Sequence, residues 1–192
     1  MSQRVETAQA TALSTRRVLR RALAVAAGAL LVALGAQAAV PLPGTAVPMT
    51  LQVPAVLIVG GLLGPALGAA SLGLYLLAGA AGVPVFAPMG LPGVARLFGP
   101  TGGYLLAYPL AAAVMGRLAA DPHRLGRLAV GLVAGLAVIH AGGVAQLAIL
   151  GGDLGAALRA GSLPFLLGDA LELAFAGLIV WRFASPIRRA LL

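Results

Sequence analysis

The amino-acid sequence predicts an all-α, polytopic membrane protein of about six transmembrane helices, with the N and C termini cytoplasmic. Three observations carry that prediction. Of 192 residues, 60% are hydrophobic and only 9% charged, against roughly 25% charged in soluble domains. The few charges are segregated, so that residues 22–95 form one uncharged stretch, whereas about 20 apolar residues suffice to cross a bilayer core. The arginines are the third. With the N-terminus inside, six crossings put Arg4, Arg16, Arg17, Arg20, Arg21, Arg117, Arg124, Arg127, Arg182, Arg188 and Arg189 in the cytoplasm, leaving Arg96 and Arg159 outside, a strong positive-inside asymmetry.

Breakers and charges set the elements. The first helix is expected over about 17–40, stopped by Pro41-Leu42-Pro43-Gly44, which cannot continue a helix. A second over 50–63 ends in a turn at Gly64-Pro65, and a third follows over 66–81. The segment 82–100, with Pro84, Pro88, Pro92 and Pro100, reads as a long loop. A fourth helix covers 101–119, and Asp121-Pro122-His123-Arg124 is a polar turn before a fifth over 128–150. Gly151-Gly152-Asp153 opens a loop that can hold a short amphipathic piece, 154–160. A sixth helix begins near Pro164, a favoured first-turn residue, and runs to about Phe183. The chain divides into a flexible cytoplasmic N-terminus, 1–16, a six-helix membrane domain, 17–185, and a short basic cytoplasmic tail, 186–192. The expected location is the inner (plasma) membrane, multi-pass and in contact with lipid.

Several function classes are excluded or disfavoured. The chain has no cysteine and no lysine, so thiol chemistry and a Walker A phosphate loop, which ends in Gly-Lys, are absent. Two distant histidines and one close acidic pair make a poor metal site, and no metal or cofactor is expected. The net charge of +8 is a topology signal and does not point to nucleic acid. Arg16-Arg17 before an apolar run, with Ala36-Gln37-Ala38 after it, imitates a twin-arginine signal. Five further spans argue against that reading. Ser71 and His140 are the pair an intramembrane hydrolase would need. The surrounding Ala69-Ala70-Ser71-Leu72-Gly73 only loosely resembles a nucleophile elbow, and no enzyme is expected.

Polar groups inside a membrane are costly and therefore informative. Asp169 and Glu172 are three residues apart in the sixth helix, hence on one face. They lie roughly 7 and 12 Å along from Pro164, in the outer half of the bilayer, where a ligand cage opening outward is the favoured reading. Arg96 is the nearest candidate partner, or a solvated loop charge. His140 reads as a hydrogen-bonded packing histidine sooner than a ligand or proton carrier. Gln52 suits either ligand binding or capping of loop backbone. Tyr104 and Tyr108 either line a pocket or anchor at the interface, and Trp181 is an interface anchor. Glycines at four-residue spacing, Gly60, Gly64 and Gly68, and Gly131 and Gly135, favour close helix packing.

Beyond composition, six segments stand in a particular order. They are Ala46-Val47-Pro48-Met49-Thr50-Leu51-Gln52; Leu63-Gly64-Pro65-Ala66-Leu67-Gly68; Leu74-Tyr75-Leu76-Leu77-Ala78-Gly79; Gly82-Val83-Pro84-Val85-Phe86; Phe98-Gly99-Pro100-Thr101-Gly102-Gly103-Tyr104; and Pro164-Phe165-Leu166-Leu167-Gly168-Asp169. Together, from about Ala46 to Glu172, they resemble the signature segments of the BioY family, the biotin-specific substrate-binding (S) components of energy-coupling-factor (ECF) vitamin transporters. The resemblance implies an outward pocket for biotin, with ligand-binding candidates Asp169, Arg96, Glu172, Gln52, Tyr104 and Phe86. It also implies docking on a transmembrane coupling protein driven by two cytoplasmic ATPase subunits, through an alanine face of the first helix at Ala22 and Ala26. Asp169 matches the aspartate of the family's Gly-Asp-x-x-Lys motif. Glu172 departs from it, an anion in place of a cation. Either the pocket is rewired, or the ligand is another vitamin or a biotin analogue without the charged tail.

Overall fold

The computed structural model describes the backbone of residues 2–191 and the side chains of 15–191. The protein is a bundle of helices with one two-residue-wide ribbon. Helix α1 (Ser2–Gln37) starts well before the expected residue 17. The side chains of residues 1–14 lie outside the described residues, so the polar character expected for 1–16 has no structural description. Where α1 ends, Ala39–Val40 (β1) pairs antiparallel with Met49–Thr50 (β2), Ala39 opposite Thr50. The prolines that stop the helix thus sit in a loop whose two ends are tied together.

Helix α2 (Gln52–Ala80) is two arms folded against each other at Gly64, whose φ of 81° and ψ of 178° are not helical. Glycine is the residue that takes such a φ without penalty. The next residue, Pro65, lacks the N–H that would bond back to Gly61. The fold-back is evident from Gln52 and Tyr75. They are 23 residues apart, roughly 35 Å along a straight helix, yet Gln52 Nε2 donates to Tyr75 Oη at 2.7 Å. A Cβ on Gly68 would lie 3.0 Å from Gly60 Cα. The expected turn at Gly64-Pro65 is therefore present, and the small residues around it serve internal packing.

The segment expected to be all loop, 82–100, contains the short helix α3 (Ala95–Phe98). Helix α4 (Gly102–Leu118) and helix α5 (Leu125–Gly151) pack closely, because Gly103 meets the backbone of Gly142 and Gly143 lies under the Tyr104 ring. Helix α6 (Leu154–Gly161) is capped by Asp153, whose Oδ1 accepts from the Gly155 and Ala156 N–H groups at 2.7 and 3.1 Å. Pro164 falls in a 3₁₀ turn (Leu163–Phe165) that leads into helix α7 (Leu166–Leu191), about two turns longer than expected at the C-terminal end and continuous through Pro186.

Two apolar clusters fill the bundle. One gathers Leu57, Met115, Leu132, Ala176 and Val180. The other, around Val56, Tyr75, Phe86, Tyr104, Tyr108, Ile139 and Phe165, surrounds a cavity. The outward surface is as apolar as the interior, with Leu167 86% and Leu171 76% exposed on α7 and Leu77 71% exposed on α2. A water-facing helix would carry polar groups at such positions. Hydrocarbon is the environment in which that surface costs nothing, and the protein is a multi-pass membrane protein.

Candidate ligand-binding cavity

The cavity, together with the open space at its mouth, spans about 680 Å³ not filled by protein atoms. Its walls are mostly apolar, from Val47, Met49, Val53, Phe86, Leu105, Ile139 and Phe165. A few polar groups converge on it: Thr50, Gln52, Arg96, Thr101, Tyr104, Tyr108, His140, Asp169 and Glu172. All six residues singled out from sequence, Asp169, Arg96, Glu172, Gln52, Tyr104 and Phe86, line this one space. They come from four helices, α2, α3, α4 and α7, and from the loop that carries Phe86.

Asp169 is 5% exposed, in the first turn of α7. Its Oδ2 lies 2.9 Å from His140 Nε2 on α5. An ionised carboxylate only accepts, so Nε2 carries the hydrogen and donates. The imidazole is flanked by the Tyr104 ring, at 6.4 Å between centroids, and the Phe165 ring, at 6.5 Å. Its Nδ1 is buried and has no hydrogen-bond partner among the described residues. One carboxylate oxygen of Asp169 is thus fixed by His140, and Oδ1 is left for another donor. His140 makes a hydrogen bond, as expected from sequence, but its partner, Asp169, was not foreseen, and the ring also lines the cavity. The signal was available, since two polar side chains buried in apolar helices need each other.

Arg96, from α3, is also 5% exposed. It is not the solvated loop charge considered from sequence, nor does it pair with Asp169 or Glu172. Its guanidinium donates to the carbonyl oxygens of Met89 and Ala87 in the preceding loop. Gly90, with a φ of +117°, leaves the space that the guanidinium fills. Burial lowers the Arg96 pKa from its ordinary value, partly countered by the neighbouring Tyr75 hydroxyl. Carbonyl dipoles hold the cation in place, and no ion pair among the described residues neutralises it.

The remaining predicted groups are positioned by one another. Tyr104 Oη donates to the Gly161 carbonyl, tying α4 to α6. Tyr108 is 4% exposed, so both tyrosines line the cavity and neither serves as an interface anchor. Phe86 stacks edge-on against Tyr75, at 5.4 Å. Gln52 gives its amide N–H to Tyr75 and accepts from Thr50 Oγ1 at 3.2 Å. Gln146 steadies the approach to α4, donating to Leu97 O and Gly99 O at 3.0 and 2.7 Å. Ser71 is elsewhere. It donates to Leu67 O at 2.9 Å and packs against Gly28 of α1, so it forms no dyad with His140. Ala22 and Ala26 are exposed on α1, and Trp181 stands at 6.0 Å from the His123 ring. No cluster of metal-ligating side chains occurs among the described residues.

An apolar-walled cavity with a fixed carboxylate and a buried cation, inside a lipid-exposed helical bundle, defines a small-molecule-binding membrane protein. The chain belongs to the BioY family, whose family model matches residues 3–189. It is 39% identical over 152 residues to the "Biotin transporter BioY" of Thermotoga maritima, an alignment covering 79% of this chain and 88% of that one. With the "Biotin transporter BioY" of Rhodobacter capsulatus it shares 35% identity over 180 residues, covering 85% and 92%. Among solved structures, it is similar to "the S-component for biotin from an ECF-type ABC transporter", with a TM-score of 0.74 at 26% identity over 88% of this chain and 91% of that one.

Proposed function

We propose that this chain is the membrane subunit that captures biotin from outside the cell for import. It is a transport protein and not an enzyme. One observation carries the reading beyond family membership: a single cavity holds an acceptor, Asp169, and a cation without an anionic partner, Arg96. Biotin needs both. Its ureido ring offers N–H donors to a carboxylate, its fused thioether ring suits apolar walls, and its tail carboxylate needs a positive charge. In this reading Asp169 Oδ1 accepts from the ureido group and Arg96 meets the tail. Phe86 and Tyr104 pack on the apolar parts, Gln52 holds the wall beside Tyr75, and Glu172 faces the bound ligand.

The membrane is the inner (plasma) membrane, crossed about six times with both termini cytoplasmic; the arginine asymmetry supports this. The partners are a transmembrane coupling protein and two cytoplasmic ATPase subunits, with Ala22 and Ala26 on the exposed side of α1 as the docking face. The three-part division into 1–16, 17–185 and 186–192 follows the same topology.

Equilibrium binding of labelled biotin to detergent-purified protein tests the reading. Saturation near one biotin per chain is expected, displaced by unlabelled biotin and not by unrelated vitamins. Displacement by another vitamin, or by an uncharged biotin analogue in preference to biotin, would favour the second reading that Glu172 motivates. No saturable binding by folded protein would overturn the proposal.

A further inference from the structure

Glu172 lines the cavity and makes no hydrogen bond or ion pair with another described residue. It stands one turn from Asp169 on α7, so the two carboxyls share a face. The groups that face it from the packed elements are engaged elsewhere, apart from the uncharged Tyr108 hydroxyl. On α5, His140 Nε2 is held by Asp169. On α4, the Tyr104 hydroxyl is given to Gly161 O, and Tyr108 brings no charge. On α2, the Gln52 amide is given to Tyr75. On α3, the Arg96 guanidinium is directed at the carbonyls of Met89 and Ala87. The strand β2 contributes Met49 and Thr50, both uncharged.

The charge tally of the cavity is therefore one cation against two carboxyls, to which an anionic ligand adds a third negative group. The open cavity leaves room for water to solvate Glu172. A ligand that fills the cavity expels that water, and a carboxylate left without water or a donor beside a second carboxylate is disfavoured. We propose that ligand capture takes up one proton from solvent, held on the carboxyl of Glu172 for as long as the ligand is bound. The bound state then carries Arg96 against Asp169 and the ligand's anion, and Glu172 becomes a hydrogen-bond donor as well as an acceptor. This rests on biotin as the ligand. It also accounts for an anionic side chain in a site for an anion: Glu172 excludes the ligand when ionised and tolerates it when protonated.

Calorimetric titration of the full chain with biotin, between about pH 5.5 and 8.5 and in buffers of different ionisation enthalpy, reads the proton directly. Binding with uptake of close to one proton is expected at the alkaline end, where affinity falls by up to about tenfold per pH unit. Glu172→Gln and Glu172→Met cannot take the proton. Both are expected to lose the uptake and the pH slope, and Glu172→Gln to bind more tightly than the parent at alkaline pH. Saturable binding by the parent without proton uptake overturns the proposal and leaves the biotin reading standing. Uptake that persists in both variants also overturns it, and moves the proton to His140 or Asp169. No biotin binding by folded parent at any pH removes the biotin reading and this inference with it.

Discussion

His140 and Asp169 are joined across α5 and α7 by a 2.9 Å hydrogen bond, on side chains only 14% and 7% exposed. The bond does two things at once. It satisfies two polar groups that would be costly inside apolar helices, and it leaves Oδ1 of Asp169 as the remaining acceptor. Asp169→Asn keeps the shape and removes the charge, and biotin affinity is expected to fall by about 1–3 kcal/mol, the scale of a charge-assisted hydrogen bond. His140→Phe keeps the carboxylate and removes its positioning donor. A smaller loss is expected, near the ~0.6 to ~1.7 kcal/mol measured for interhelical hydrogen bonds in membranes. Equilibrium binding measures both, and equal affinity in Asp169→Asn would remove that residue from the site.

Arg188 replaces a hydrogen bond that Pro65 cannot make. Its Nη2 donates to the Gly61 carbonyl at 2.5 Å and its Nη1 to Ala120 O at 2.7 Å. Gly61 O is the acceptor that a residue with an N–H at position 65 would have satisfied. The C-terminal end of α7 thereby clamps the bend of α2, on which Gln52 and Tyr75 depend for their meeting. Arg188→Met is expected to destabilise by about 1–3 kcal/mol through the orphaned carbonyl. A lowered thermal unfolding midpoint in detergent, with biotin affinity at low temperature retained, is the expected result.

A close approach limits α5 in the same way. Any Cβ at Gly143 would collide with the Tyr104 ring. Gly143→Ala is expected to push Tyr104 off Gly161 and into the cavity. Weakened biotin binding and a lowered unfolding midpoint should appear together, whereas Tyr104→Phe, which loses only the bond to Gly161 O, should cost about 1 kcal/mol.

The helices were legible because apolar runs, prolines and arginines are local signals. The α2 fold-back was legible too, since Gly64-Pro65 can scarcely be read otherwise. Asp169, Glu172, Arg96, Gln52 and Tyr104 were legible as polar groups in an apolar chain, Phe86 only through ordered segments that resemble a family, and the cavity gathers all six of them. Pairing was not legible. Arg96 and the two carboxyls looked like natural partners on a charge count, yet the guanidinium turns to Met89 and Ala87 carbonyls, which one-dimensional spacing does not reveal. The hydrogen bond expected of His140 is present, but its partner was not legible for the same reason: it is 29 residues away on another helix. Helix ends also drifted, as α1 and α7 each continue beyond the first polar residues, where a bilayer boundary and a helix boundary need not coincide.

Arg96 carries the anion-binding half of the proposed site. Arg96→Met is expected to weaken biotin by roughly 2–5 kcal/mol, as for a buried charge pair that loses one member. An uncharged biotin amide should lose far less. Equal losses for the two ligands would mean that the guanidinium only shapes the loop around Met89.

A structure of the full chain with biotin bound tests the central claim most directly. The account predicts the ureido ring within hydrogen-bond distance of Asp169 and the tail carboxylate at the Arg96 guanidinium, with the fused ring between Phe86 and Tyr104. Biotin bound outside this cavity, or reversed within it with its carboxylate away from Arg96, would contradict the account.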